Sequence, residues 1–187
     1  NNLIVTGIRG NPAWGDPSGY AIRVRSDNVK MSDSVAENSD HGFTLYYADY
    51  CQLSNIIARG NGHFTTGPTG GPDGYDLYIG PGPGLGQGMS NTVDGFVSES
   101  TWAQGLNYAL ILRNSNNNII RNMESTSHNF AGIFVKGQQN IIEDCTVRNK
   151  KGPFINSVVP GSIDGYGIFV IGYTAGATGW WGQDNII

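Results

Sequence analysis

A short unit recurs down the whole chain, and it restricts the fold more than any other feature of the sequence. Its first mark is a corner at which Gly, Asn or Asp precedes a residue that is apolar in all but one case. The corner occurs at Gly7-Ile8, Asp33-Ser34, Asn55-Ile56, Gly95-Phe96, Asn122-Met123 and Asp144-Cys145. Gly, Asn and Asp tolerate a positive φ most readily, so we expect a tight turn at each of these positions.

The second mark of the unit is a short strand in which apolar residues alternate with other types. The inward pairs of these strands are Ile22/Val24, Phe43/Leu45, Leu77/Ile79, Leu110/Leu112, Ile133/Val135 and Ile168/Val170. Successive pairs lie about 22 residues apart, or about a dozen more where a loop is inserted, and this spacing is typical of a solenoid coil. Helical heptads do not produce it.

The sequence therefore predicts an all-β solenoid of about six coils that forms one domain over residues 1–187. The 28 glycines agree with a chain that turns often. Its two ends, 2–5 and 184–187, occupy the same phase of the coil. Because natural solenoids cap their ends, we expect this chain to be cut in mid-coil from a longer protein.

A groove along the solenoid axis is the candidate binding site, because loops are inserted on both sides of the same strand in several coils. Its floor is predicted to contain the outward residues Arg23, Arg25, Thr44, Tyr46, Tyr78, Arg113, Phe134, Lys136 and Phe169, and its walls Trp14, Trp102, Trp180 and Trp181. Aromatic faces stack on sugar rings and Arg forks bind carboxylates or sulfates, so this set suits an extended anionic polysaccharide.

A simpler explanation of the same residues stays open. Thr, Arg, Lys and Tyr are common on exposed strands because of their strand propensity and solubility. Other partner classes are not indicated. A net charge of −4 argues against nucleic acid, and no run of about 18 apolar residues suggests a membrane.

The segment DSVAENSDHGFTLYYADYCQLSNIIARGNG resembles coils of the catalytic module of mannuronan C-5 epimerases. More broadly, the chain resembles pectin-lyase-like proteins, whose fold is a single-stranded right-handed parallel β-helix. The resemblance implies an extracellular protein, or one on a cell or virion surface, that acts on an alginate-like or pectate-like polymer as a lyase or an epimerase. It implies no organic cofactor and allows Ca²⁺ at the substrate carboxylate, although the metal and its ligands are unknown.

The Asp-Pro-His motif of the epimerase active strand is absent, and Arg23 and Arg25 occupy the outward positions of the strand that begins at Tyr20. Lyases and epimerases both remove the proton α to a uronate carboxylate. Arg113 and Lys136 share one phase in consecutive coils, where Arg113 would neutralise the carboxylate and favour a neutral Lys136 as the base. Tyr46 or Tyr78 would return the proton.

Two other functions are alternatives to a lyase or an epimerase. A glycoside hydrolase needs two carboxylates across the groove, and the nearest candidates, Asp76 and Asp164, lie about three coils apart. A non-enzymatic shaft, as in phage tailspikes or surface adhesins, would bind glycans without turnover. Such shafts associate side by side, so a trimer would favour that alternative.

Overall fold

A computed structural model describes residues 3–6, 9–10, 19–39, 41–61, 74–81, 88–99, 107–128, 131–148, 154–155, 163–164, 166–170 and 186–187. These residues form β-strands joined by turns, with no helix among them. Within the same ranges, no helix is long and apolar enough to cross a membrane.

The strands, numbered in chain order, form two large sheets and two small pairs. The ten-stranded sheet contains β1 (Leu3–Thr6), β2 (Arg9–Gly10), β4 (Val29–Ser32), β5 (Val35–Glu37), β7 (Gln52–Arg59), β10 (Thr92–Glu99), β13 (Ile119–Arg121), β14 (Glu124–Ser127), β16 (Ile141–Glu143) and β17 (Thr146–Val147). The six-stranded sheet contains β3 (Tyr20–Val24), β6 (His41–Tyr46), β8 (Gly74–Gly80), β11 (Asn107–Arg113), β15 (Ala131–Lys136) and β20 (Tyr166–Val170). The pairs are β9 (Gly88–Met89) with β12 (Ser115–Asn116), and β18 (Phe154–Ile155) with β19 (Ile163–Asp164).

Each coil contributes strands to three faces. The first face contains β1, β4, the first halves of β7 and β10, β13 and β16, and the second contains β2, β5, the second halves of β7 and β10, β14 and β17. The six-stranded sheet is the third face. All of its strands, and all of those in the ten-stranded sheet, pair in parallel with the next coil. The predicted parallel β-helix is confirmed.

The predicted corners lie between the first and second faces. Asp33, Asn55, Asn122 and Asp144 have φ between 50° and 53°, and Gly95 has a φ of 73°. A Cβ at Gly95 would also come within 3.0 Å of the Asn55 side chain. The corner residues were therefore read correctly from the sequence, except that Gly7 lies outside the described residues.

The inward columns fill the solenoid. Phe43, Leu77, Leu110 and Ile133 are buried in one column, and the neighbouring column contains Leu45, Ile79, Leu112 and Val135. Ile168 and Val170 continue these columns in register, although they are 41% and 38% exposed. The predicted inward pairs thus form the core, except that Ile168 and Val170 of the last strand are exposed and Val24 is only partly buried.

Polar side chains also lie inside the coil. Asn61 Nδ2 donates to Asp76 Oδ1 at 3.0 Å, and Ser98 Oγ donates to Asp76 Oδ2 at 2.5 Å. All three residues are fully buried. Asp76 therefore faces the interior, and its carboxylate is not available to a hydrolase site in the groove.

Candidate functional site

The strands of the third face depart from strict alternation at their first residues. In β8 both Asp76 and Leu77 face inward, which turns Tyr75 to the outer side together with Tyr78. The same step puts Ala109 and Leu110 in the core and Tyr108 outside. The outer side therefore has three rows of side chains that cross the coils.

The three rows follow from the strand register. The aromatic row contains Tyr20, His41, Tyr75 and Tyr108; the central row contains Arg23, Thr44, Tyr78, Ile111, Phe134 and Phe169; and the terminal row contains Tyr46, Gly80, Arg113 and Lys136, with Arg25 beyond the end of β3.

Ring contacts join aromatic side chains of neighbouring coils in two groups on this face. The His41 ring stacks on Tyr75 with centroids 4.3 Å apart, and Tyr20 lies 4.9 Å from His41 on the other side. Further along the axis, Phe134 contacts both Tyr108 and Phe169, at 5.6 and 5.7 Å. Aromatic side chains, several of them buried, therefore pack along the third face from the first strand to the last.

Burial keeps the central part of the aromatic row uncharged. It lowers the pKa of His41 to about 4, with the positive charge of Arg23 acting in the same direction. Burial also raises the pKa of the Tyr75 phenol well above its usual range. His41 Nδ1 has no hydrogen-bond partner within the described part of the chain. At neutral pH this buried stack is therefore uncharged.

The cations of the third face lie against or beside these rings. Arg23 is exposed, and its guanidinium carbon lies 4.4 Å from the Tyr20 centroid and 4.3 Å from that of Tyr46. Arg25, also exposed, lies 5.3 Å from the Tyr46 centroid. At the other end of the terminal row, Arg113 and Lys136 are register partners in adjacent strands.

The six described strands carry no acidic side chain on this outer side. The only acidic residue in the six strands is Asp76, whose side chain faces the core. Arg23, Arg25 and Arg113 form no ion pair with any carboxylate of the described residues. The third face therefore has a positive local charge on a chain with a net charge of −4.

The predicted floor residues all face outward, but they are not equally accessible. Arg23, Arg25 and Arg113 are exposed, whereas Tyr46, Phe134 and Lys136 are half-buried. Thr44 and Tyr78 are buried. The floor is thus open mainly at its cations.

The two predicted proton donors differ in their surroundings. The Tyr78 hydroxyl donates to the Pro81 carbonyl oxygen at 2.8 Å, and burial raises the pKa of Tyr78 to about 12. Tyr46 lies three strands from Lys136 in the terminal row, a separation of about 14 Å. Lys136 and Tyr46 therefore cannot serve the same sugar unit.

Trp14, Trp102, Trp180 and Trp181, which were predicted as groove walls, lie outside the described residues. No cluster of His, Cys, Asp and Glu suited to a metal ion occurs in the part of the chain that the structure describes. A calcium site stays a prediction.

Sequence reasoning missed the aromatic row, because strict alternation would have turned its members inward. A sequence signal for this row was present, since four strands have an aromatic residue at their first or second position, followed by a small or acidic one. The pairs are Tyr20-Ala21, His41-Gly42, Tyr75-Asp76 and Tyr108-Ala109. At Gly42 a Cβ would lie 2.3 Å from the Asp76 carbonyl oxygen, so this inward step has little space for a side chain.

Comparison with known proteins gives two findings. A family model described as a right-handed β-helix region matches residues 2–177. Among solved structures, an alginate lyase from Paenibacillus sp. str. FPU-7 is similar with a TM-score of 0.49 and 14% identity; the match covers 76% of this chain and 57% of the lyase chain. No curated protein matches the sequence significantly. The resemblance to mannuronan epimerases stays a prediction.

Proposed function

The chain belongs to the right-handed β-helix family, and on that premise we propose that its third face binds an extended acidic polysaccharide outside the cell. The observation that carries this proposal is the charge pattern of the face. Its exposed cations have aromatic neighbours and no carboxylate partners among the described residues. Such a surface satisfies both the rings and the carboxylates of a uronate polymer.

The spacing of the cations fits a polymer better than a single sugar. Arg25 and Arg113 lie three strand spacings apart along the axis, which corresponds to about 14 Å. One sugar ring cannot reach both groups, whereas a chain laid along the solenoid engages them with different units. Between them, the half-buried ring of Tyr46 provides an intervening contact.

The proposal extends to β-elimination at the Arg113–Lys136 pair. Arg113 holds the uronate carboxylate, and Lys136 takes the proton from C5. The electron pair forms the C4–C5 double bond as the C4–O4 bond breaks. The lysine ammonium then returns the proton to the leaving O4, so no distant tyrosine is required.

Binding is tested first, by titrating fluorescent alginate and polygalacturonate oligomers into the protein at several salt concentrations, with dextran oligomers as the neutral control. We expect binding of the acidic chains only, weakening as salt rises. Arg113→Ala should weaken binding about tenfold. Its matched control, Arg121→Ala, removes an arginine of the first face and should leave affinity unchanged. Equal binding of dextran would refute the proposal.

Elimination is tested by the ultraviolet absorbance of the unsaturated uronate product, with and without Ca²⁺. Activity that disappears in Lys136→Ala but persists in Lys30→Ala would support the assignment, because Lys30 is an exposed lysine of the first face. Binding without any absorbance change, together with a trimeric mass in solution, would instead support the non-enzymatic shaft.

A further inference from the structure

The corner that joins β6 to β7 contains two tyrosines in the left-handed backbone region. Tyr47 has a φ of 55° and Tyr50 a φ of 56°. Bulky residues rarely adopt this conformation, because the Cβ then crowds the backbone. Such an outlier is a reason to look for a function that its side chain serves.

Neighbouring coils show what these positions ordinarily contain. The strand register aligns Tyr47 with Asn114, whose φ is 48°. It aligns Tyr50 with Asn28, Ser90, Asn117 and Gln139, all at positive φ. Where the aligned residues of other described coils have a positive φ, they are therefore Asn, Ser or Gln, and only this corner has aromatic residues in that conformation.

The Tyr47 ring extends the cationic end of the third face. It meets the Tyr46 ring edge-on, with centroids 4.6 Å apart and planes at 87°. The other neighbours of Tyr46 are the guanidinium groups of Arg23 and Arg25. Tyr47 is 37% exposed, so its ring packs against the tyrosine that contacts both arginines and still offers a surface to a ligand.

The phenols of this region lie close together. Burial is the main reason that the pKa of Tyr78 is raised, and the nearby phenols of Tyr46, Tyr20 and Tyr47 add to it. Tyr47 therefore belongs to the outer side of the third face. Tyr50, by contrast, has no ring contact among the described residues and is 55% exposed.

We propose that Tyr47 and Tyr46, together with Arg23 and Arg25, form a subsite that holds one uronate unit of the polysaccharide. The sugar ring packs on the Tyr47 ring, and its carboxylate accepts hydrogen bonds from the two guanidinium groups. Cation–π contact with Tyr20 and Tyr46 holds Arg23 in place before the ligand arrives. This inference rests on the proposed function and assigns one uronate-binding position to the third face.

The decisive variant is Tyr47→Asn, which inserts the residue type of the aligned corner at 114. We expect its melting temperature to rise by about 2 °C, because the backbone cost is relieved. Affinity for alginate or polygalacturonate oligomers should fall about tenfold. Tyr47→Phe keeps the ring and should bind within about twofold of the original protein.

Tyr50→Asn is the matched control, since it relieves the same backbone conformation in the same corner without touching the arginine cluster. It should gain stability and keep full affinity. Full affinity in Tyr47→Asn would overturn the subsite while leaving the proposed function intact, and a lower melting temperature in that variant would overturn the claim of a conformational cost. Failure of the unaltered protein to bind either polymer would overturn both proposals.

Discussion

The ten-stranded sheet and the third face belong to the same coils but use their charged residues differently. On the ten-stranded sheet, arginines pair with carboxylates of the adjacent coil: Arg59 Nε donates to Glu37 Oε2 at 2.9 Å, and Arg121 Nε lies 3.3 Å from Asp94 Oδ2. On the third face, Arg23 and Arg25 lie against tyrosine rings instead. The carboxylates neutralise the arginine charge within the protein. The tyrosine rings leave that charge available to a ligand.

This difference has a physical basis in what each contact leaves unsatisfied. A carboxylate partner accepts the N–H groups of an arginine and cancels its charge. An aromatic ring orients the guanidinium through its face but accepts none of its in-plane hydrogen bonds. Two surfaces of the same coils can therefore differ in role: one stabilises the stacking of the coils, and the other binds a ligand.

The difference in charge between the two sheets depends on Asp76 facing the core. The variant Asp76→Asn tests that placement and has the largest expected effect. Burial raises the pKa of Asp76 to about 6, from an ordinary value of 3.8. Between those values the folded protein holds a proton that the unfolded chain releases. Its contribution to stability is therefore greatest below pH 4, falls as pH rises to 6 and is constant above that. At pH 7, keeping the buried Asp76 carboxylate charged lowers the free energy of unfolding by about 3 kcal/mol.

We expect Asp76→Asn to lose this pH dependence and to be more stable than the unaltered protein at pH 7, because the amide can replace the carboxyl between Asn61 and Ser98. Urea unfolding at pH 4 to 7 measures the difference. The comparison of variants is needed because His41, whose pKa is lowered to about 4, contributes with the opposite sign in the same window. Asp94→Asn is the control. A pH-independent difference for Asp76→Asn would contradict its burial as a carboxyl.

Much of the fold followed from the sequence, because its determinants are local. A corner that needs positive φ selects Gly, Asn or Asp, and a core strand selects apolar residues at alternate positions. Asn55, Gly95 and Asn122 could therefore be assigned without any knowledge of their neighbours. The outward direction of Arg113 and Lys136 followed from the same alternation.

The remaining features depend on contacts between coils. The inward step at Asp76 requires partners on other strands, namely Asn61 and Ser98, and alternation alone could not reveal it. The aromatic row that this step creates was missed for the same reason. Burial of Tyr78 and the ring contacts of Arg23 likewise depend on how coils stack, which is a property of the assembled solenoid.

Removing the unpaired cations should affect binding and leave the fold intact. For the double variant Arg23→Ala/Arg25→Ala we expect about a hundredfold loss of affinity for acidic oligomers, since two charge-assisted contacts are removed. The salt dependence of the remaining binding should be shallower. Isothermal titration at two salt concentrations measures both, and an unchanged salt slope would show that the arginines do not contact the polymer.

Arg59→Ala should produce the reverse result. The Glu37 side chain is only 9% exposed, so loss of the Arg59 hydrogen bond leaves a largely buried carboxylate with one partner fewer. We expect a loss of stability of about 1–2 kcal/mol by urea unfolding, with affinity for acidic oligomers unchanged. Glu37→Gln/Arg59→Ala, which also removes the buried charge, should recover part of that loss. A drop in affinity would place the second face in the binding site.

Arg121→Ala should have the smallest effect of all, although the same kind of ion pair is removed. Arg121 Nε makes no hydrogen bond to any residue that the structure describes, despite its 3.3 Å separation from Asp94 Oδ2, and both side chains are more than two-fifths exposed. Asp94 also keeps the Asn122 Nδ2 hydrogen bond at 2.8 Å when the arginine is gone. Solvent screening and the retained partner together predict a stability change of at most about 0.5 kcal/mol and no change in affinity. A larger loss would mean that cohesion of the first face depends on exposed charge pairs, and the contrast with the third face would then be one of strength as well as of partner.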